Sequence, residues 1–115
     1  MVEKLFVPYE IAKIAKEKGF DESVIATFDY KNELKLREVK TTECLKAPTY
    51  QQLVDWFREK HNLVVESRPL NNLNWWDAYI WNGDTMDRIL RVPGFKTYYE
   101  ALNKAIEESF KLIKL

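Results

Sequence analysis

The sequence predicts an α+β fold in which helices cover one face of a mostly antiparallel sheet. Stretches with apolar residues at every third or fourth position alternate with stretches that have them at every second position. Short connections of hairpin length join several of the predicted strands, which favours antiparallel pairing between neighbours. The predicted order is α-β-β-α-β-β-β-α. Because no linker or repeat divides the 115 residues, we expect a single domain, residues 1–115.

Each predicted helix carries a recognisable start signal, and the first two also carry a stop signal. Proline fits the beginning of a helix, a capping box satisfies its first free N–H groups, and glycine or asparagine can take the left-handed conformation that ends it. These signals are Pro8 and Gly19 for the first helix, Thr49-x-x-Gln52 and Asn62 for the second, and Thr97-x-x-Glu100 for the third.

Period-two alternation predicts a first hairpin over residues 23–39. Residues 63–68 are β-branched at their centre, which predicts a third strand there. Residues 40–47 are predicted as a connection. The third strand is expected to stop at Pro69, since proline cannot donate to a sheet ladder.

A second hairpin is predicted from residues 75–81 and 85–92, which flank the dipeptide Asn82-Gly83. This dipeptide favours a type I′ turn, in which both central residues have positive φ. Pro93-Gly94 is expected to end the last strand before the terminal helix begins.

Charge and composition exclude several classes of protein. The 18 Lys and Arg residues balance 18 Asp and Glu residues, which disfavours a sequence-independent nucleic-acid binder, although a local basic patch stays open. No apolar run approaches the ~20 residues that span a bilayer, and Glu3 and Lys4 interrupt the first nine residues, unlike a signal peptide. We therefore expect a cytoplasmic protein without a membrane partner.

Candidate catalytic and metal-binding groups are sparse. The sole histidine, His61, falls at the end of a predicted helix, where it is expected to act as a cap, and the sole cysteine, Cys44, lies in no nucleophile motif. The three glycines are isolated, so no phosphate-binding loop is present. Asp77, Asp84 and Asp87 surround the second hairpin but lack the spacing of a calcium loop. We expect no catalytic residue, no metal and no cofactor, which favours a non-enzymatic protein over the remaining alternative, an enzyme with a small-molecule pocket.

The tryptophans around residues 75–81 form the most unusual pattern in the chain. Alternation places Trp76, Ala78 and Ile80 on the core face of one strand. The opposite face then carries aromatic side chains, and the neighbouring strands can add arginines to it. The resulting candidate binding residues are Trp75, Tyr79 and Trp81, with Arg68 and Arg91 at the rim.

Three interpretations of this aromatic surface remain. The rings can be covered by residues 69–74 or by a helix of the same chain. Aromatic residues and arginine are enriched where protein interfaces are energetic, so a protein partner or a second copy of the chain is the leading functional interpretation. Single-stranded nucleic acid, bound by base stacking, is the alternative.

Several helix-forming segments of the chain resemble those of a known group of sequences. They are residues 18–21 (KGFD), 47–52 (APTYQQ), 55–61 (DWFREKH) and 99–106 (YEALNKAI). The chain is similar in these segments to a group of small uncharacterised proteins from gut Bacteroides genomes and their phages or mobile elements. The resemblance implies a bacterial cytoplasm and a phage or mobile-element origin, and it assigns no functional residue.

Overall fold

The computed structural model describes residues 2–36, 45–70 and 74–113. Over these residues the α+β class is confirmed: three helices accompany two antiparallel sheets of three strands each. A short 3-10 helix, Val2–Leu5, comes first. The elements that follow are α1 (Tyr9–Glu17), β1 (Ala26–Phe28), β2 (Leu34–Leu36), β3 (Leu45–Lys46), α2 (Tyr50–His61), β4 (Leu63–Pro69), β5 (Trp76–Asn82), β6 (Arg88–Phe95) and α3 (Tyr98–Leu112).

The observed order, α-β-β-β-α-β-β-β-α, has one strand more than the sequence predicts. The extra strand is β3, which pairs antiparallel with β1 and places Leu45 opposite Phe28. It lies in residues 40–47, which were predicted as a connection. Two residues are too few to display a period of two, so alternation cannot reveal such a strand.

The chain forms two compact units, Met1–Leu53 and Val54–Leu115, whose boundary lies within α2. The prediction of one domain for the whole chain stays a prediction. In the first unit the sheet order is β2-β1-β3, and α1 contacts β3. The helix α1 ends as predicted, because Gly19 adopts a φ of 96°.

In the second unit, α3 packs against all three strands of a sheet with the order β4-β5-β6. Apolar side chains at every second position of β4 and β5 are buried, as are those along one side of α3. The phenyl rings of Phe57 and Phe110, 5.0 Å apart, join α2 to α3 within this unit. The core residues of sheet and helix include Val65, Ala78, Ile80, Leu102, Ala105 and Ile106.

The signals at the ends of α2 and α3 are confirmed. Thr49 and Gln52 form a reciprocal capping box, in which each backbone N–H donates to the other's side chain over 3.0 Å. Thr97 Oγ1 accepts a bond of 3.1 Å from Glu100 N–H at the start of α3. Asn62 follows α2 with a φ of 56°, the left-handed conformation expected of a helix terminator.

The second hairpin is confirmed, but its predicted type I′ turn is wrong. The strands β5 and β6 are joined by residues 83–87, and the positive φ falls at Met86, 61°, instead of at Asn82 and Gly83. The Asn82 side chain shapes this connection, since its Oδ1 accepts from the N–H groups of Asp84 and Thr85. Asparagine commonly closes a turn in this way, which competes with the two-residue turn.

Pro93-Gly94 does not end the last strand, contrary to prediction. β6 continues to Phe95, and the two residues lie at a bulge between the pairs Trp76↔Phe95 and Ala78↔Val92. Gly94 has a φ of 94°, which glycine adopts without steric cost. Because β6 is an edge strand, the missing N–H of Pro93 does not interrupt the pairing.

Over the described ranges, the structure contains no helix that combines the length and the apolarity needed to cross a membrane.

Candidate binding surface

The candidate site lies on the β4-β5-β6 sheet, on the face that points away from α3. Ala78 and Ile80 of β5 are buried, and the Trp76 ring meets the Tyr98 ring of α3 at 5.4 Å. Because side chains alternate along a strand, Tyr79 and Trp81 point to the opposite side. We call this side the aromatic face. Among the described residues it carries Glu66, Arg68, Asp77, Tyr79, Trp81, Arg88 and Arg91.

Two stacked rings form the centre of the aromatic face. The rings of Tyr79 and Trp81 lie 5.3 Å apart with an interplanar angle of 9°, and both residues are half-buried. The Arg68 guanidinium lies over both, 5.8 Å from the centroid of Tyr79 and 6.0 Å from that of Trp81. These distances are within the range of cation–π attraction, so the stack and the arginine hold one another in place.

Glu66 ties the indole to the arginine. Trp81 Nε1 donates a hydrogen bond of 2.8 Å to Glu66 Oε1, and Arg68 Nε lies 3.4 Å from the same oxygen. Glu66 can reach both because it is opposite Tyr79 in the β4–β5 register and two residues from Arg68 on the same strand. The carboxylate therefore fixes the orientation of the ring and of the cation.

A second pair of opposite charges occupies the same face. Asp77 is 1% exposed in its side chain, and Arg91 donates to its Oδ2 from Nε at 2.9 Å and from Nη2 at 2.7 Å. The Gly94 N–H, at the bulge of β6, donates to Asp77 Oδ1 over 3.4 Å. The hydrogen bond and charge of Asp77 raise the pKa of Arg91 above its usual value. Arg91 itself is 39% exposed and covers the buried carboxylate.

Four of the five predicted binding residues are on this face: Arg68, Tyr79, Trp81 and Arg91. The fifth, Trp75, precedes β5 and is 40% exposed. Its backbone carbonyl accepts from Leu70 N–H. Whether any of the five binds a partner stays a prediction.

Three residues of the aromatic face, Glu66, Asp77 and Arg88, were not among the predicted binding residues. Glu66 was accessible to sequence reasoning, since it alternates with Arg68 on β4. Asp77 shares its parity with Tyr79, which places it on this face, but it was considered only as one of the three acids around the second hairpin. Arg88 is three residues from Arg91, a spacing that in a regular strand puts the two on opposite faces. A register shift beside Trp81 changes this, and Arg88 is opposite Trp81.

The other candidate groups have simpler surroundings. His61 is the last residue of α2, and its ring meets the Trp56 ring at 4.6 Å. Desolvation lowers the pKa of His61 below its ordinary value. Asp84 and Asp87 are exposed in the hairpin connection, and Cys44 lies outside the described residues. Within the described part of the chain, no group of three His, Cys, Asp or Glu side chains is placed to hold a metal ion.

Comparisons with models of protein families, with curated proteins and with solved structures gave no match to this chain.

Proposed function

We propose that the chain is a binding module that recognises a partner protein through the aromatic face and carries out no chemistry of its own. The observation that carries the proposal is the half-exposed stack of Tyr79 and Trp81 with Arg68 across it. Tryptophan, tyrosine and arginine are the residues most enriched among those that dominate binding energy at protein interfaces.

The order within the face supports this proposal. A side chain that is immobilised on binding loses rotamer freedom, which costs roughly 0.5–1.5 kcal/mol for a flexible group. Here Trp81 is held by Glu66 and by Tyr79, and Arg68 by the same carboxylate. Much of the ordering has therefore taken place before a partner arrives, so more of the contact energy contributes to affinity.

The same contacts favour a protein partner over single-stranded nucleic acid. A base stacks on a free ring face, whereas Arg68 already lies over the rings of both Tyr79 and Trp81. Two carboxylates, Glu66 and Asp77, also lie among the arginines and oppose a polyphosphate backbone. The formal charge of the chain is zero, which gives no long-range attraction to nucleic acid.

Photo-crosslinking tests the proposal. Tyr79 is replaced by p-benzoylphenylalanine, a phenylalanine with a photoreactive benzoyl group where tyrosine has its hydroxyl, in bacterial cells that express the chain. A matched control carries the same residue in place of Glu107, which is exposed on α3. Irradiation should produce discrete adducts from position 79 that resist nuclease and are destroyed by protease, with few from position 107.

The outcomes separate the candidate partners. Nuclease-sensitive adducts at position 79 would identify the partner as nucleic acid and contradict a protein partner. Adducts of twice the chain's own mass, together with a dimer in light scattering, would identify the partner as a second copy. Equal yields from positions 79 and 107, or no adduct at either, would contradict the proposal.

A further inference from the structure

We infer that the partner presents a short, extended segment with one or two carboxylate side chains to the aromatic face. This inference rests on the proposed function and specifies the chemistry of the ligand. It comes from the register of β6, from the distribution of charge over the face, and from the size of the face.

The register shift beside Trp81 brings a third arginine to the face. The pairs Ile80↔Leu90 and Trp81↔Arg88 leave one extra residue on β6 between them. Residues directly opposite one another on paired strands project to the same side, so Arg88 is on the side of Trp81. Arg91, opposite Tyr79, is on that side as well. Both positions of the central stack are thus flanked by an arginine of β6.

The charges of the face are unequal in number and in accessibility. The three arginines face two carboxylates, which leaves one positive charge in excess. Asp77 is 1% exposed and its bonds run to Arg91 and to Gly94, while Glu66 accepts from Trp81 and contacts Arg68. In contrast, Arg68 is 57% exposed and contacts Glu66 through Nε. A guanidinium carries five N–H donors, so its terminal nitrogens can bind a ligand carboxylate in addition.

An excess of one charge limits the ligand. Nucleic acid is bound by neutralising several phosphates at once, and the affinity then falls steeply with salt. A single net positive charge suits one or two carboxylates. The apolar part of the ligand would pack on the edge of the Tyr79–Trp81 stack.

The size of the face favours a segment over a folded surface. The strand β5 has seven residues, and three strands spaced about 4.8 Å apart give a projected area of about 330 Å². A stable interface between two folded proteins buries about 800 Å² on each side. One extended chain that runs along the edge of the Tyr79–Trp81 stack, between the arginines of β4 and β6, matches the smaller area.

A peptide-display experiment tests the inference. A library of random peptides as long as β5, seven residues, is selected on the parent chain and, separately, on a Trp81→Ala variant. Sequences that the parent alone enriches should contain Asp or Glu at about twice their frequency in the library or more. One such peptide is then titrated against the parent, against Arg88→Gln and against Arg58→Gln, which removes the same charge from α2.

The titrations should show a local charge effect. Arg88→Gln should weaken binding about fivefold, and the same peptide with Gln in place of its acid should bind both proteins equally. Arg58→Gln should bind as the parent does. The inference would be overturned if Arg88→Gln bound the selected peptide as tightly as the parent chain does, and if the peptide with Gln in place of its acid bound the parent as tightly as the acidic peptide.

The selection also distinguishes failure of the acidic-segment inference from failure of the proposed binding function. Enriched peptides that need Trp81 but lack acids would reject the acidic segment and leave the binding module in place. A parent that enriches no peptide beyond the Trp81→Ala variant, which circular dichroism must show to be folded, would reject both. If Trp81→Ala does not fold, Arg68→Ala takes its place, because Arg68 is on the surface.

Discussion

Trp81 on β5 donates its indole N–H to the carboxylate of Glu66 on β4, with 2.8 Å between Nε1 and Oε1. The bond crosses between neighbouring strands and does so on the side of the sheet away from the core. It restrains the orientation of the indole, whose plane lies at 9° to that of the Tyr79 ring in the stack.

Replacing Trp81 by phenylalanine should reduce stability, because the ring is kept but the N–H donor is lost. A hydrogen bond to a charged group contributes about 1.5–3 kcal/mol, and partial exposure lowers this, so we expect a loss of about 1 kcal/mol in the free energy of unfolding. Urea denaturation measures it. The control is Trp75→Phe, which should change stability by less than about 0.5 kcal/mol because its indole is exposed. Equal losses in the two variants would contradict the role of the bond.

Asp77→Asn should be the more costly change on the same face. The buried carboxylate accepts two bonds from Arg91, and an amide has the same shape without the charge. We expect a loss of roughly 2 kcal/mol in the free energy of unfolding. Asp87→Asn is the matched control, since Asp87 is exposed in the hairpin connection, and it should stay within about 0.5 kcal/mol of the parent. A change at Asp77 as small as that at Asp87 would show that the pair contributes little.

Gly83→Ala should destabilise the second hairpin by steric overlap. Gly83 N–H donates to Asn62 O at 2.8 Å, and an added Cβ would lie 3.0 Å from that oxygen and closer still to Asn62 Oδ1. Overpacking of this kind costs about 1–3 kcal/mol. Asn62→Gly should recover part of the loss in the double variant, since it removes Oδ1 and suits the φ of 56°. Thermal unfolding of the single and double variants measures this. A double variant no more stable than Gly83→Ala alone would show that the Asn62 side chain is not the obstacle.

Stability should fall as the pH drops through about 6.5, and His61 should be the cause. Desolvation lowers the pKa of His61 in the folded chain, so the unfolded chain binds a proton first as the pH falls. The free energy of unfolding then declines from about pH 6.5 down to the pKa of the folded state, below which the contribution of His61 is constant. His61→Gln should remove this decline between about pH 7.5 and pH 5.5 in urea titrations.

Two carboxylates with lowered pKa values, Asp29 and Glu108, act in a lower pH range than His61. Backbone hydrogen bonds from the Asp29 turn and side-chain bonds from two lysines to Glu108 lower the pKa values of these acids. Their contribution is complete above their ordinary values, 3.8 and 4.5, and is lost only as the pH falls below them. A parent and a His61→Gln variant with the same slope above pH 5 would contradict the assignment to His61.

The sequence predicted those features that depend on neighbours along the chain. The capping box of Thr49 and Gln52 joins residues three apart, and the alternation in β5 depends on the residues of that strand alone. Both could therefore be predicted from the sequence. The place of Tyr79 and Trp81 on a common face followed from the same alternation.

The features that sequence reasoning missed depend on contacts between distant segments. Gly83 is needed for its approach to Asn62, which another element positions, and not for a positive φ. Arg88 reaches the aromatic face because β6 pairs with a shift beside Trp81, and a single strand cannot reveal its register. Pro93 was expected to end a strand, but at an edge it is tolerated.

The most direct test of the binding module is the dissociation constant for the partner that crosslinking at position 79 identifies. It is measured for the parent, for Trp81→Ala and for Glu107→Ala, with circular dichroism to show that each variant is folded. If the aromatic face binds the partner, Trp81→Ala raises the dissociation constant roughly tenfold or more while Glu107→Ala leaves it unchanged. A folded Trp81→Ala variant that binds the partner as tightly as the parent would contradict binding through this face.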